Sequence, residues 1–562
     1  MNCSLKELQL LSSKVSNDFR SSCIRRFLIV SLIFSLIGFV IMIKIFEISR
    51  EKNFTKGSNK ILIDTPLERG LIKDRNGKIL ASNIFKYNLK AYPKNIQNID
   101  LTLKKLLVKL PNINEDNLRR KLKNKNKYEV IIKKNFTAPI AKEINSMGIP
   151  GLEFYPVIRR FYPHKNLTAH LVGHVNESNS GVYGSEKSFD ELLSEGETVN
   201  LALDLRLQYA VREELLKSYN KLGAKSATAI ILDLNTSEIL TLVSLPDFNP
   251  NQSINPKIKS YRNSATLNLY EMGSTFKIFT IAAALEKTII NLNSLFDARK
   301  PLKIANYYIK DYHPENKILN TKEVFIKSSN IGASLIGLEL GADYLKKFYK
   351  KIGILNFSSI DLLEKSKPIV PKKWGEIETA TLSFGHGISI TPMHMMEAAA
   401  LLFSKQKFEK LNIKKQTQTI NNIYNDILSP NTRNSLLELM TENVFKGTAR
   451  KANIEGYEIG GKTATGEKTI KGKYKKDKLV SSFLSIFPSR DPKYIALILF
   501  DEPNYRFNNN NNINQITGGT TAAPVTAKIL ERILPILGVA KKTNTDVQII
   551  VKNKEELDFA SY

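Results

Sequence analysis

Tyr270-Glu271-Met272-Gly273-Ser274-Thr275-Phe276-Lys277, with an apolar run from Ile278 to Leu285 directly behind it, decides how this 562-residue chain is read. A serine followed three residues later by a lysine, at the start of a helix, puts hydroxyl and amine on one face, one turn apart. A neutral amine there can take the hydroxyl proton and make the serine a nucleophile. That is the core of an acyl-transfer site, and it needs no histidine. The spacing alone is weak, because it recurs at Ser49/Lys52, Ser218/Lys221 and Ser404/Lys407 in surroundings that suggest no chemistry. Taken singly, Ser274 also reads as a helix cap and Lys277 as an exposed helix lysine.

Composition narrows the field. The length allows two to four domains, and a chain that is 42% hydrophobic and 24% charged folds around real cores. Lys plus Arg (83) exceeds Asp plus Glu (54), giving a net charge of +29. The basic residues are spread along the chain and form no stripe with aromatics, so nucleic acid is not the expected partner. A basic surface facing anionic lipid or an anionic polymer fits better. Cys3 and Cys23 are the only cysteines, so the rest of the chain can form no internal disulfide and offers no thiolate ligand. Six histidines without metal-ligand spacing give no reason to expect a metal, and no cofactor is expected.

Phe27 to Ile43 carries no charge, and Ile45 and Phe46 extend it past Lys44. Such a length can span a bilayer core. Arg20, Arg25 and Arg26 precede it and mixed charges follow, which places the N-terminus in the cytoplasm. No small-residue cleavage site follows, so the segment reads as an uncleaved signal anchor. The organisation expected is a cytoplasmic tail over 1–26, a transmembrane anchor over 27–46, a polar stalk over 47–60, a first module over 60–200, a second over 224–540 and a loose tail over 541–562.

Within the first module, Asp74-Arg75-Asn76-Gly77 is a turn between two strand-like pieces, and Leu101–Leu110 and Leu118/Leu122 have helical spacing. A helix is expected from Leu205 to Lys221. In the second module Ala227–Leu234 and Ile239–Leu245 read as a hairpin turning at Asn235-Thr236-Ser237. Gly460–Lys468, Val480–Phe487 and Tyr494–Phe500 are further strands, and Ala522–Leu537 is a closing helix. Strands at both ends with helices between predict a sheet assembled from the module's termini around a helical insert. Asn508–Asn512 reads as a loop tip.

Two more clusters share the second module with Ser274: Lys327-Ser328-Ser329-Asn330, and Gly460-Gly461-Lys462-Thr463-Ala464-Thr465-Gly466. In this order the three resemble the Ser-x-x-Lys, Ser-x-Asn and Lys-Thr-Gly motifs of penicillin-binding proteins. Upstream, Arg69-Gly70 with Asp74-Arg75-Asn76-Gly77, Arg160 with Tyr162-Pro163, and Gly184 with Glu186 resemble the pedestal motifs of the class B members. Gly385-His386-Gly387-Ile388-Ser389-Ile390-Thr391-Pro392, Asp501-Glu502-Pro503 and Gly518-Gly519 resemble the cell-division type. The resemblance covers roughly residues 25 to 540.

It implies an α/β (α+β) multi-domain protein: one N-terminal transmembrane helix, an elongated pedestal (dimerisation) domain and a serine β-lactamase-like transpeptidase domain. By the same resemblance, Ser274 attacks a D-Ala-D-Ala carbonyl, Lys277 takes its proton, and Ser328 relays it to the leaving amine. Asn330 holds the substrate amide. Lys462, Thr463 and Thr465 bind the terminal carboxylate, and backbone N–H groups of Ser274 and Thr465 form an oxyanion hole. A proton-accepting Lys277 requires an amine pKa lowered by about three units, or about 4 kcal/mol, through burial and a neighbouring cation. Lys462 is the obvious cation. Arg69, Arg160 and Glu186 would form a charge network bracing the pedestal against the catalytic module.

The implied substrates are peptidoglycan stem peptides, with β-lactams as covalent inhibitors. The implied partners are a membrane glycosyltransferase of the SEDS type and other division proteins. The implied location is the bacterial inner membrane, with the catalytic domain in the periplasm. Three departures stand out. Ala464 replaces the family's Gly, which costs about 1–3 kcal/mol if the space is tight. Met272 replaces a Pro, and Lys165 replaces a Gly shortly after Tyr162-Pro163. An elongation-type enzyme, a D,D-carboxypeptidase or β-lactamase, and a division scaffold with weakened catalysis remain open at this point.

Overall fold

The computed structural model describes residues 26, 28–45, 68–252, 255, 258–416, 425–470, 473–504 and 516–542. Residues 1–25 with both cysteines, the 47–60 stalk, the Asn508–Asn512 loop tip and the tail from 543 lie outside them. The chain divides into two compact units, Met1–Pro66 and Leu67–Tyr562. In the first, Leu28–Ile45 forms one helix of 18 residues with no part of it buried. At 1.5 Å per residue that is about 27 Å, enough to cross a bilayer core.

The second unit opens with β1 (Ile72–Lys73), a turn, and β2 (Ile79–Ala91). The Asp74 carboxylate accepts from the N–H groups of Asn76 and Lys78, and Gly77 takes φ +82°, so the Asp-Arg-Asn-Gly turn is held by its own first residue. β2 pairs with β3 (Val130–Phe136) on one side and β4 (Leu152–Phe161) on the other. Helices Ile99–Lys109 and Glu115–Lys123 cover this sheet and bury Leu103, Leu106, Leu118 and Leu122 against it. β1 also pairs in parallel with β5 (Val199–Asn200), which leads the chain into the second module.

There α1 (Leu205–Lys221) is capped by Asp204, whose side chain accepts from the Arg206 N–H. Strands β6 (Ser226–Asp233) and β7 (Glu238–Leu245) form the expected hairpin. β8 (Gly460–Ile470), β9 (Lys473–Phe487) and β10 (Tyr494–Asp501) complete a five-stranded antiparallel sheet in the order β8-β9-β10-β6-β7. Side chains alternate along each strand, and both faces are buried. Ala227, Ala229 and Ile231 face α1 and α2 (Ala522–Ile533), whereas Ile230, Leu232, Leu484 and Leu497 face the helical insert. Ile72, Leu80 and Tyr162 of the pedestal join that same core, so the two modules share packed apolar contacts. Burying each large apolar side chain stabilises by about 1.5–3 kcal/mol.

The insert places the serine turn. Gly273–Phe276 is a 3₁₀ turn that runs into the helix Lys277–Glu286, whose residues from Lys277 to Ala284 are all buried. In a 3₁₀ turn residues three apart eclipse each other, which aligns Ser274 and Lys277 more closely than an α-helical turn would. β8 is the edge strand beside this turn: a Cβ built on Gly466 would fall 2.8 Å from the Glu271 carbonyl oxygen.

Candidate active site

Ser274 borders a cavity of about 760 Å³ between the serine turn, the Ser328–Asn330 segment and β8. Lys277 lies behind it and is fully buried. Its Nζ is 2.9 Å from Ser274 Oγ, 2.7 Å from the Ser328 carbonyl oxygen, 2.8 Å from Asn330 Oδ1 and 3.2 Å from Ser328 Oγ. The Ser328 carbonyl and Asn330 Oδ1 can only accept. A neutral amine has two N–H groups and one lone pair. The two pure acceptors take both N–H groups, which leaves the lone pair for the Ser274 hydroxyl proton.

Electrostatics favour that neutral form. Burial, then the neighbouring Lys462 amine, push the Lys277 pKa well below the usual lysine value, against a weaker opposing pull from Asp311. Lys462 is also fully buried; its Nζ donates to Ser328 Oγ at 2.9 Å and lies 5.5 Å from the centre of the Phe325 ring. Burial lowers Lys462 itself to about 7, so its charged fraction near neutral pH depends on what lies beside it. An anion reaching it would raise that fraction. Ser328 thus sits between two amines, at φ +61°, a conformation costly for a residue with a side chain.

Asp311 over-determines that conformation. Its carboxylate accepts from Ser329 Oγ at 2.7 Å, from the Ile331 N–H at 2.9 Å and from the Asn330 N–H. It so anchors the start of the helix Asn330–Leu340, and nothing local in the sequence marks it. Asn330 is engaged at both ends of its amide, because Nδ2 donates to the Lys310 carbonyl at 3.1 Å. Thr463 Oγ1 is 2.6 Å from Thr448 Oγ1, and Thr465 Oγ1 accepts from the Gly518 N–H at 3.0 Å. Both threonines line the cavity, as do Arg450 and Lys451, which sequence reasoning did not single out. On its Gly273 side the buried Ala464 methyl is not crowded: even a Cβ built on Gly273 would lie 3.8 Å from it, ordinary contact distance.

Ser274, Lys277, Ser328, Asn330, Lys462, Thr463 and Thr465 therefore converge. Arg69, Arg160 and Glu186 converge elsewhere, and none of them lines the cavity. The Glu186 carboxylate accepts from Arg69 Nε and Arg160 Nε, each at 2.7 Å, and Arg69 Nη1 also reaches Asp190 at 2.7 Å. Asp190 was not anticipated.

A serine beside a buried lysine and a second buried amine, facing an edge strand, defines a serine acyltransferase site. The penicillin-binding protein transpeptidase domain matches residues 227–531, and the penicillin-binding protein dimerisation domain matches residues 64–199. The chain belongs to the penicillin-binding protein transpeptidase family. It is 34% identical over 489 residues to the probable peptidoglycan D,D-transpeptidase FtsI of Caulobacter vibrioides, covering 84% of this chain and 82% of that protein. It is 29% identical to the probable peptidoglycan D,D-transpeptidase PenA of Neisseria gonorrhoeae, over 87% of this chain and 88% of the relative. To the peptidoglycan D,D-transpeptidase FtsI of Escherichia coli K12 it is 28% identical, over 84% of each.

Proposed function

We propose that this chain is a membrane-anchored peptidoglycan D,D-transpeptidase of cell division, acting through a Ser274 acyl-enzyme. Ser274 Oγ bonds to the carbonyl carbon of a D-Ala-D-Ala peptide while its proton passes to Lys277. The C–N bond breaks, and the departing D-alanine takes that proton by way of Ser328. An acceptor amine then forms a C–N bond to the acyl carbon, the C–Oγ bond breaks, and the amine proton returns to Oγ through Lys277. Lys462, Thr463 and Thr465 bind the donor's terminal carboxylate, and Asn330 orients its amide. Backbone N–H groups of Ser274 and Thr465 stabilise the oxyanion, a contribution of about 3–4 kcal/mol per donor in related chemistry.

The observation that carries this reading is the Lys277 amine, buried, 2.9 Å from Ser274 Oγ, with both its N–H groups directed at pure acceptors. The division role rests on the relatives named FtsI. Arg20, Arg25 and Arg26 before the apolar helix favour a cytoplasmic N-terminus and a periplasmic catalytic module. A membrane glycosyltransferase of the SEDS type would supply the strands to be cross-linked, and other division proteins would place the enzyme. The test is to give the full-length protein a synthetic acyl-D-alanyl thioester with an amine acceptor. Transfer product should accumulate beside free acid; hydrolysis alone would favour a carboxypeptidase or β-lactamase.

A further inference from the structure

His386 occupies a place that the chemistry above does not use. Gly385, at φ +84°, packs directly on the serine turn: a Cβ there would fall 2.3 Å from the Gly273 carbonyl oxygen. The next residue is therefore held beside Ser274. Its ring stacks on Tyr474, with centroids 5.6 Å apart at 21°, and leans on Phe384 at 4.9 Å. Tyr474 is fixed in turn, its hydroxyl donating to the Glu271 carboxylate at 3.1 Å. Lys468, on the same hairpin, reaches Asp501 at 2.7 Å and Glu502 at 2.8 Å. Among the described residues, no group hydrogen-bonds either ring nitrogen of His386. A clamped imidazole with unpartnered nitrogens thus borders the reaction cavity.

It also borders a second, smaller pocket of about 250 Å³, lined by Ile304, Ile309, Ile377 and Phe384 and by Lys310 and Asn330. No residue of β8 lines this pocket, so a peptide lying along β8 leaves it open. Acyl transfer brings two chains to one carbon. With the donor along the strand that carries Lys462, Thr463 and Thr465, as proposed above, the side pocket is an approach open to the acceptor.

We infer that His386, at the junction of the two pockets, positions the acceptor: an imidazole nitrogen accepts a hydrogen bond from the N–H of the incoming amine and turns its lone pair toward the Ser274 ester carbon. This rests on the transpeptidase reading. His386 takes no proton. The amine arrives neutral, having released its ammonium proton to solvent; its nitrogen bonds to the acyl carbon, the C–Oγ bond breaks, and the second proton goes to Oγ by way of Lys277. A neutral imidazole keeps one lone pair for this purpose. Burial holds the His386 pKa down to about 4, so the lone pair is present at neutral pH. The ring stacks on Tyr474, itself bonded to Glu271, and shares the smaller pocket with the titratable groups of Tyr307, Tyr308 and Lys310.

The test uses full-length protein in detergent, an acyl-D-alanyl thioester donor and D-alanine as the amine. His386→Ala should be acylated by penicillin within about twofold of the wild-type rate, while its ratio of transfer to hydrolysis falls about tenfold, the size of one lost hydrogen bond. His386→Gln, which restores a side-chain acceptor, should recover most of that ratio. An unchanged ratio in His386→Ala overturns the proposal. So does a parallel loss of acylation and transfer, which would mean that the ring only supports the serine turn. A wild-type protein that penicillin cannot acylate overturns the transpeptidase reading along with it, so the two failures are told apart.

Discussion

Two of the buried clusters of ionisable groups among the described residues are built oppositely. In the pedestal, the Arg69 and Arg160 guanidiniums flank the Glu186 carboxylate at 2.7 Å on either side, all three nearly free of solvent. In the catalytic module, the Lys277 and Lys462 amines share one hydroxyl, Ser328 Oγ, and the nearby Asp311 carboxylate is spent on Ser329 Oγ and backbone N–H groups. Opposite charges removed from water together fix a shape, because separating them leaves a bare ion. Like charges removed from water together surrender a proton. The first arrangement suits a brace and the second a base.

Removing an amine from the second cluster should have the largest effect. Lys277→Ala should cut the rate of acylation by a β-lactam about 10²–10⁴-fold while the protein stays folded, measured by stopped-flow or gel labelling against circular dichroism. Removing the carboxylate from the first should do the reverse. Glu186→Ala leaves Arg160, whose Nη2 is already unpartnered, without a carboxylate and leaves Arg69 with Asp190 alone, and should cost about 3–5 kcal/mol of stability in denaturant unfolding. The acylation rate per folded molecule should change little. If Glu186→Ala instead leaves stability intact and abolishes acylation, the contrast fails.

The pH response sharpens the same comparison. Lys277 serves as a base only when deprotonated, and its pKa is lowered chiefly by burial and then by Lys462. Acylation should therefore fall as pH drops through that lowered value, approaching about tenfold per unit on the acid limb. Lys462→Ala should move the acid limb to higher pH, since it removes the repelling charge. The smallest effect belongs to the pedestal. Lys165 stands where the family has Gly and adopts φ +49°, which a side chain disfavours. Lys165→Gly should raise stability by about 0.5–1 kcal/mol in the same unfolding assay, without changing acylation.

Much of the fold was legible because its signals are local. The Ser226–Leu245 hairpin, the helix Leu205–Lys221 and the strand Tyr494–Asp501 each carry their own apolar period and turn residues. The start of β9 was not: Lys473, Tyr474 and Lys475 pair with Ile470, Thr469 and Lys468 of β8, yet the stretch Lys473–Lys478 has no apolar alternation. This end of the hairpin is mostly polar in sequence, so no period-two signal marks it. The site divides in the same way. Ser274, Lys277, Ser328, Asn330 and Lys462 stand in short motifs. Asp311 acts on backbone N–H groups some twenty residues downstream, and His386 owes its place to the contact of Gly385 with Gly273; neither contact leaves a spacing in the sequence.

Covalent labelling with fluorescent penicillin, followed by mass spectrometry of the digested adduct, tests the central claim most directly. The account predicts a stable penicilloyl group on Ser274 in the full-length protein and no label on Ser274→Ala. A wild-type protein that stays unlabelled at saturating drug, or a Ser274→Ala variant that still labels, would contradict it.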